Sequence, residues 1–221
     1  MNDELIGKLT AQAAEFHLPA ELDGFMVKKI CAATEDKFII FTCTNAADHC
    51  ALTAYFHTET NEFKIRQQIG LTEFCLTKFF TEDFAHFKEL IDAELDDALK
   101  KLRDVRRGKL NHFLREKKID AWIYGSELPA TLEGFELFIK PTAPVQVTNG
   151  SFIVINYADF SADSDFTISY NVYADEFSGE SRINGAPHVT YAFDAATLAK
   201  LEDKLKAGLV NELREIRRLS A

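Results

Sequence analysis

One octapeptide occurs twice in this chain of 221 residues, and it constrains the fold more than any other feature of the sequence. The segments Leu18–Phe25 (LPAELDGF) and Leu128–Phe135 (LPATLEGF) are identical at six of eight positions. From Phe38 onward the chain aligns with itself, without a gap, at a constant offset of 114 residues that carries Phe38 onto Phe152. Self-similarity at a fixed offset indicates a repeated structural unit. We therefore predict two copies of one fold in tandem.

The apolar pattern supports this alignment better than residue identity does. Only 12 of the 66 aligned positions from 38 to 103 are identical, so identity alone would be weak support. In the C-terminal helix of each copy, however, six apolar positions recur in the same order at helical spacing. They are Phe84, Phe87, Ile91, Leu95, Leu99 and Leu102 in the first copy and Leu198, Leu201, Leu205, Leu209, Leu213 and Ile216 in the second. The predicted repeats are residues 1–106 and 107–221.

Each copy is predicted to be an α+β unit: a helix, a four-stranded antiparallel sheet and a long second helix. In the first copy the first strand is Phe25–Ala32, and the second, Phe38–Thr44, is almost continuously apolar and so reads as a central strand. The third strand alternates most clearly in the second copy, over Phe166–Val172, and the fourth is Leu71–Phe80. Because the connections are short, we expect antiparallel pairing, and we expect a pseudo-two-fold axis to relate the copies.

Charge and hydropathy exclude two classes of partner. The net charge is −10, and the densest basic run, Lys100–Lys109, follows an acidic stretch in one predicted helix, as the helix dipole favours. A broad basic surface for nucleic acid is therefore not expected. No apolar run is long enough to span a bilayer, and the acidic N-terminus lacks the pattern of a signal peptide. We expect a soluble protein in the cytoplasm, without nucleic-acid or membrane partners.

Candidate metal ligands are present in both copies, but their spacing does not favour a site. The first copy contains Cys43, His49, Cys50 and His57, whereas zinc ligands usually occur in closer pairs. A reduced Cys43 in an apolar strand behaves as a small hydrophobic residue. The second copy has an acidic group without the spacing of a calcium loop, which we interpret as solvated loop. Its members are Asp159, Asp163, Asp165, Asp175, Glu176 and Glu180. No metal or cofactor is predicted.

No catalytic motif is recognisable in the sequence. The six His residues do not fall in metal-protease or hydrolase patterns, and there is no glycine loop for a phosphate or a dinucleotide. Catalytic groups can also converge from distant positions, so an enzyme is disfavoured rather than excluded. The leading hypothesis is a non-enzymatic binding or adaptor protein.

The two copies differ most on one predicted sheet face, which suggests where a partner binds. We place Cys75 and Phe79 on the helix-facing side of the fourth strand, so that Phe74 and Leu76 lie on the opposite, outer face. That face is more apolar in the first copy than in the second, and apolar sheet faces are rarely left in water. The sister unit, a partner protein or a second copy, or an apolar ligand could cover it. The candidate partner surface consists of Phe41, Tyr55, Phe74 and Leu76.

Two further hypotheses stay open at this point. A pocket between the two repeats could bind a small apolar or acidic molecule, with or without catalysis. Alternatively, the chain could be a purely structural homodimer. The sequence itself does not choose between these functions and protein-partner binding.

Overall fold

A computed structural model describes residues 1–105, 112–147 and 150–221, without the side chains of residues 112, 113 and 120. The chain divides into two compact units, Met1–Asp104 and Val105–Ala221. The predicted boundary between Arg106 and Arg107, and residues 106–109 of the basic run, lie outside the described residues. Each unit is an α+β fold built on one antiparallel sheet, which confirms the predicted class of secondary structure.

The first unit is a meander of six strands, preceded along the chain by one helix and followed by another. Its strands are hydrogen-bonded in sequence order, so each pairs with its neighbours along the chain. The helices are α1 (Asp3–Ala14) and α2 (Phe84–Arg103), and the strands are β1 (Glu21–Leu22), β2 (Phe25–Ala33), β3 (Lys37–Asn45), β4 (Cys50–His57), β5 (Glu62–Ile69) and β6 (Thr72–Cys75). A single 3-10 turn, Thr77–Phe79, connects β6 to α2.

The second unit has the same order of principal elements in its described residues. Short helices replace the single opening helix: α3 (His112–Glu116), a 3-10 turn (Ile119–Ala121) and α4 (Ile123–Ser126). The strands are β7 (Thr131–Leu132), β8 (Phe135–Ile139), β9 (Val145–Gln146), β10 (Ser151–Asp159), β11 (Ser164–Asn171), β12 (Glu176–Ile183) and β13 (Ala186–Val189), followed by α5 (Leu198–Ser220). None of the helices that the structure describes combines the length and apolar character needed to cross a bilayer.

The predicted four-stranded sheets are too small, because several strands escaped the sequence prediction, including the short β9 of the second sheet. The octapeptide contributes a short strand to each sheet, and β5 and β12 each add a full strand of eight residues. The fourth predicted strand is also too long: β6 ends at Cys75, and the chain then leaves the sheet in the 3-10 turn.

The repeated octapeptide forms a tight β-hairpin. Leu22 pairs in register with Phe25, so only Asp23 and Gly24 form the turn. Both have positive φ, 50° and 83°, which is the backbone of a two-residue turn matched to the twist of paired strands. Glycine adopts this conformation without steric cost, which explains why the motif contains Gly at this position. Glu133 and Gly134 repeat the geometry, with φ of 50° and 88°.

An arginine near the end of each long helix holds the hairpin turn. In the first unit Arg103 Nη1 lies 3.1 Å from Asp23 Oδ1. In the second unit Arg217 donates to the backbone carbonyl of Glu133, and Arg214 forms an ion pair with the Glu133 carboxylate at 3.0 Å. The octapeptide is therefore a structural element that joins the start of the sheet to the end of the helix.

Aromatic rings form the core of the first unit between its sheet and its helices. Phe16, just after α1, is only 1% exposed, and its ring centroid lies 5.6 Å from that of Phe41 on β3. The same ring lies 5.7 Å from Phe84 and 6.2 Å from Phe87, both on α2. Phe16 therefore links the two helices and the sheet.

Candidate functional site

The four residues of the predicted partner surface do not share one face of the sheet. Phe41 is fully buried and contacts Phe16, which places it on the face covered by helices. Following the register from Phe74 through β5 and β4 leads to Cys43, two positions after Phe41, so Phe74 lies on that face too. Tyr55 lies on the opposite face, where its hydroxyl is 3.3 Å from Cys75 Sγ. Leu76 is half-buried beyond the end of β6.

The prediction of an apolar outer face on the first unit is therefore corrected. It placed Cys75 on the helix side and continued the alternation past the end of β6, where a 3-10 turn follows. The register row that crosses the outer face through Cys75 is largely polar, and consists of Lys28, Thr42, Thr53, Arg66 and Cys75. Burial raises the pKa of Tyr55 on this face. Partner binding by Phe41, Tyr55, Phe74 and Leu76 stays a prediction.

A hydroxyl, an imidazole and a carboxylate meet at the β4–β5 turn, but their geometry is that of a turn. His57 Nδ1 lies 3.1 Å from the Thr60 hydroxyl and accepts the Thr60 backbone N–H at 3.3 Å. His57 Nε2 lies 3.7 Å from Asp36 Oδ2, and a hydrogen bond from Lys37 is the main cause that lowers the pKa of Asp36. Because the imidazole already accepts a backbone donor, it stabilises the turn rather than activating Thr60 as a nucleophile.

The candidate metal ligands of the first unit lie on β3, in the β3–β4 turn and on β4. Cys43 is fully buried on β3, and burial raises the pKa of its thiol to about 12, so the thiol stays protonated at neutral pH. His49 has positive φ in the β3–β4 turn, and Cys50 is buried at the start of β4. Within the described part of the chain, no three His, Cys, Asp or Glu side chains are grouped so that they could hold a metal ion.

One member of the acidic group in the second unit is buried, which corrects its interpretation as solvated loop. Asp165 on β11 is 4% exposed, and Asn156 Nδ2 donates to its Oδ2 at 2.9 Å. The same amide donates to the Thr167 hydroxyl at 2.8 Å, so one Asn side chain joins two neighbours on one sheet face. Burial raises the pKa of Asp165 to about 6, against the opposing hydrogen bond from Asn156.

A groove in the first unit lies between α1, the start of α2, the end of β4 and the start of β5. Its volume is about 400 Å³. Phe56, Phe63 and Phe84 form an aromatic floor, with ring centroids 5.0 Å apart for the first pair and 5.6 Å apart for the second. The remaining lining residues are Leu5, Lys8, Leu9, Gln12, Asn61, Glu82, Asp83 and Ala85. Apolar floor and polar rim are the usual composition of a small-molecule site.

A groove of about 600 Å³ occupies the second unit between the segment before the octapeptide and the start of α5. The Trp122 indole N–H donates to Glu202 Oε2 at 2.7 Å, and Lys206 donates to Glu202 Oε1 at 2.5 Å. Both hydrogen bonds lower the pKa of Glu202, and the one from Lys206 has the larger effect. Lys206 also lies 5.2 Å from the centroid of the Tyr124 ring. The other lining residues are Lys118, Ala121, Ile123, Glu127, Leu198 and Ala199.

The two grooves are lined at the same four sequence positions. Lys8 and Lys118 each lie ten residues before the leucine that opens the octapeptide, and Gln12 and Trp122 each lie six residues before it. The first two residues of each long helix complete the match, and they are Phe84 and Ala85 in α2 and Leu198 and Ala199 in α5. Sequence reasoning missed both grooves, because their walls come from segments about 80 residues apart.

Comparison with known proteins gives no match from which a function could be inferred, so a function has to be proposed from the geometry described above. No protein-family model, no curated protein and no solved structure matches the chain.

Proposed function

We propose that the chain is a tandem duplication of one binding module. Strand bounds support this: β3, β4, β5 and β6 recur as β10, β11, β12 and β13 at the same offset of 114 residues, as Lys37–Asn45 and Ser151–Asp159 illustrate. The β-bridge Phe63–Thr81 recurs as Phe177–Ala195 at that offset as well. The hairpin turn and the arginine that holds it add two further matches. A pseudo-two-fold relation between the units stays a prediction.

We infer that each module binds a small ligand in its groove and that the protein acts by binding rather than by catalysis. The observation that carries this proposal is the groove at matching positions of both units. A surface depression that arises by accident would not be expected to recur, in a diverged copy, between the start of the long helix and the segment before the octapeptide. The lining of both grooves combines apolar side chains with Lys and Glu, which can hold a ligand by ion pairs and hydrogen bonds.

Filling each groove with a larger side chain tests this proposal. Ala85 and Ala199 are exposed second residues of their helices and line the two grooves. In Ala85→Gln the longer side chain enters the first groove, and Ala199→Gln does the same in the second. We expect 8-anilinonaphthalene-1-sulfonate, an apolar fluorescent probe, to bind about tenfold or more weakly at the altered groove. Fluorescence titration, with amide chemical shifts to locate the probe, measures this.

The chain offers a matched pair of controls. Ala93 and Ala207 are exposed residues of the same two helices and line neither groove. Ala93→Gln and Ala207→Gln make the same change, which costs only a few tenths of a kcal/mol in helix stability, and should leave both binding events intact. If Ala85→Gln combined with Ala199→Gln binds the probe as wild type does, the grooves are not binding sites.

A further inference from the structure

The groove of the first unit differs from that of the second in having an unsatisfied polar group. Gln12 Oε1 is buried and has no hydrogen-bond partner, although a buried acceptor without a partner is unfavourable. At the matching position in the second unit, the Trp122 indole donates to Glu202 on the long helix. Lys88 stands where the second unit has Glu202, and it donates to Asp92 at 2.5 Å instead. The bond that crosses the second groove therefore has no counterpart at Gln12.

The rim of the first groove carries opposite charges that are not used internally. Lys8 on α1 and Glu82 before α2 are both exposed, and neither forms an ion pair with another described residue. Asp83, beside Glu82, accepts the His86 backbone N–H at 2.8 Å as the N-cap of α2. In the second groove Lys206 and Glu202 form an ion pair, while Lys118 and Glu127 are exposed and, like Lys8 and Glu82, form no ion pair with another described residue. The first groove thus presents a free cation and a free anion above an aromatic floor.

Resting on the binding function proposed above, we infer that the groove of the first unit takes a small zwitterion with an apolar side chain, of the size of an aromatic amino acid. The Lys8 ammonium group faces the ligand carboxylate, and Glu82 with the Gln12 amide oxygen accepts hydrogen bonds from the ligand ammonium group. The side chain of the ligand lies on Phe56, Phe63 and Phe84, where aromatic rings pack favourably. We expect the second groove, where Trp122 at the position of Gln12 has its hydrogen-bond partner, not to bind such a ligand.

Titration calorimetry of the full chain with four compounds tests each part of this recognition. L-Phenylalanine carries both charges and the ring, phenylethylamine lacks the carboxylate, 3-phenylpropionate lacks the ammonium group, and glycine lacks the ring. We expect L-phenylalanine to bind, and the other three to bind about tenfold or more weakly, since each loses one charged contact or the apolar contact. Equal affinity for L-phenylalanine and either singly charged analogue would overturn the inference.

Exposed charge variants make the test specific to the groove. Lys8→Met is expected to weaken L-phenylalanine about tenfold and to leave phenylethylamine unchanged, because only the former has a carboxylate. Lys28→Met, the same change at an exposed lysine that lines neither groove, should leave both affinities unchanged. Lys118→Met, at the matching position of the second groove, shows whether that groove takes the ligand instead. A larger effect from Lys118→Met than from Lys8→Met would contradict the assignment. If the fluorescent probe binds both grooves and L-phenylalanine does not bind, the ligand class is wrong and the binding function stands. If neither compound binds, both proposals fail.

Discussion

Replacing Phe16 with alanine is expected to lower the free energy of unfolding by about 3–5 kcal/mol. The ring is almost fully buried and lies within 6.2 Å, centroid to centroid, of Phe41, Phe84 and Phe87. Removing it loses the apolar contacts and leaves a cavity where the end of the opening helix segment, α2 and the sheet meet. Urea denaturation followed by far-ultraviolet circular dichroism measures the loss.

A partly exposed phenylalanine of the same unit provides the control. Phe80 is 36% exposed, and the centroid of its ring lies 4.7 Å from Lys64 Nζ. Phe80→Ala should therefore cost about 1 kcal/mol or less. If Phe16→Ala costs no more than Phe80→Ala, the opening helix is not docked on the sheet, and the first groove would lose one of its walls.

The stability of the second unit is expected to fall as the pH rises from about 4 to 6, because of Asp165. The native state raises the pKa of this carboxyl from 3.8 to about 6, so between these values the native state holds a proton that the unfolded chain has released. Protonation of Asp165 therefore contributes its full stabilisation of the native state below pH 3.8. This stabilisation is lost as the pH rises through the native pKa of about 6. The shift corresponds to about 3 kcal/mol.

Asp165→Asn should remove most of this pH dependence. The neutral amide keeps an oxygen acceptor for Asn156 and has no charge to desolvate, so we expect the free energy of unfolding to rise by up to about 3 kcal/mol at pH 7 and to change little at pH 4. Asp203→Asn, on an exposed position of α5, should change it by about 0.5 kcal/mol or less. Denaturation midpoints at several pH values provide the measurement. A lower midpoint for Asp165→Asn at pH 7 would show that the carboxylate is stabilised by contacts that outweigh its burial.

Elements with a strong apolar pattern could be predicted from the sequence, and those in which one of the two units departs from the pattern could not. The apolar stripes of the two long helices and the nearly continuous apolar runs of β3 and β10 correspond to observed elements. In β5, Phe63, Ile65 and Ile69 do alternate with polar residues, but β12 has Gly179 where β5 has Ile65. The structure gives the reason, because a side chain at Gly179 would meet Phe193 Cβ at 2.7 Å. Because Phe193 fills the space beside position 179, glycine stands there, and β12 lacks the alternation of apolar and polar residues that would have predicted a strand.

The buried carboxylate left a signal that could have been recognised. Asn156 interrupts the otherwise apolar β10, and Asp165 lies two positions before Thr167 on β11, hence on the same face. A polar residue within an apolar strand needs a buried partner. The grooves left no such signal. Their walls depend on how the opening segment lies beside the start of the long helix, and no pattern within either segment determines that.

Superposition of residues 38–103 on residues 152–217 in a crystal structure tests most directly whether the two halves are copies that share one groove position. We expect each strand from β3 to β6 to coincide with its counterpart, Ala85 to fall on Ala199, and Lys8 and Lys118 to lie on the same side of the long helix. Opening segments that pack against opposite sides of the long helix, or sheets that do not superimpose, would contradict the duplication and the binding function drawn from it.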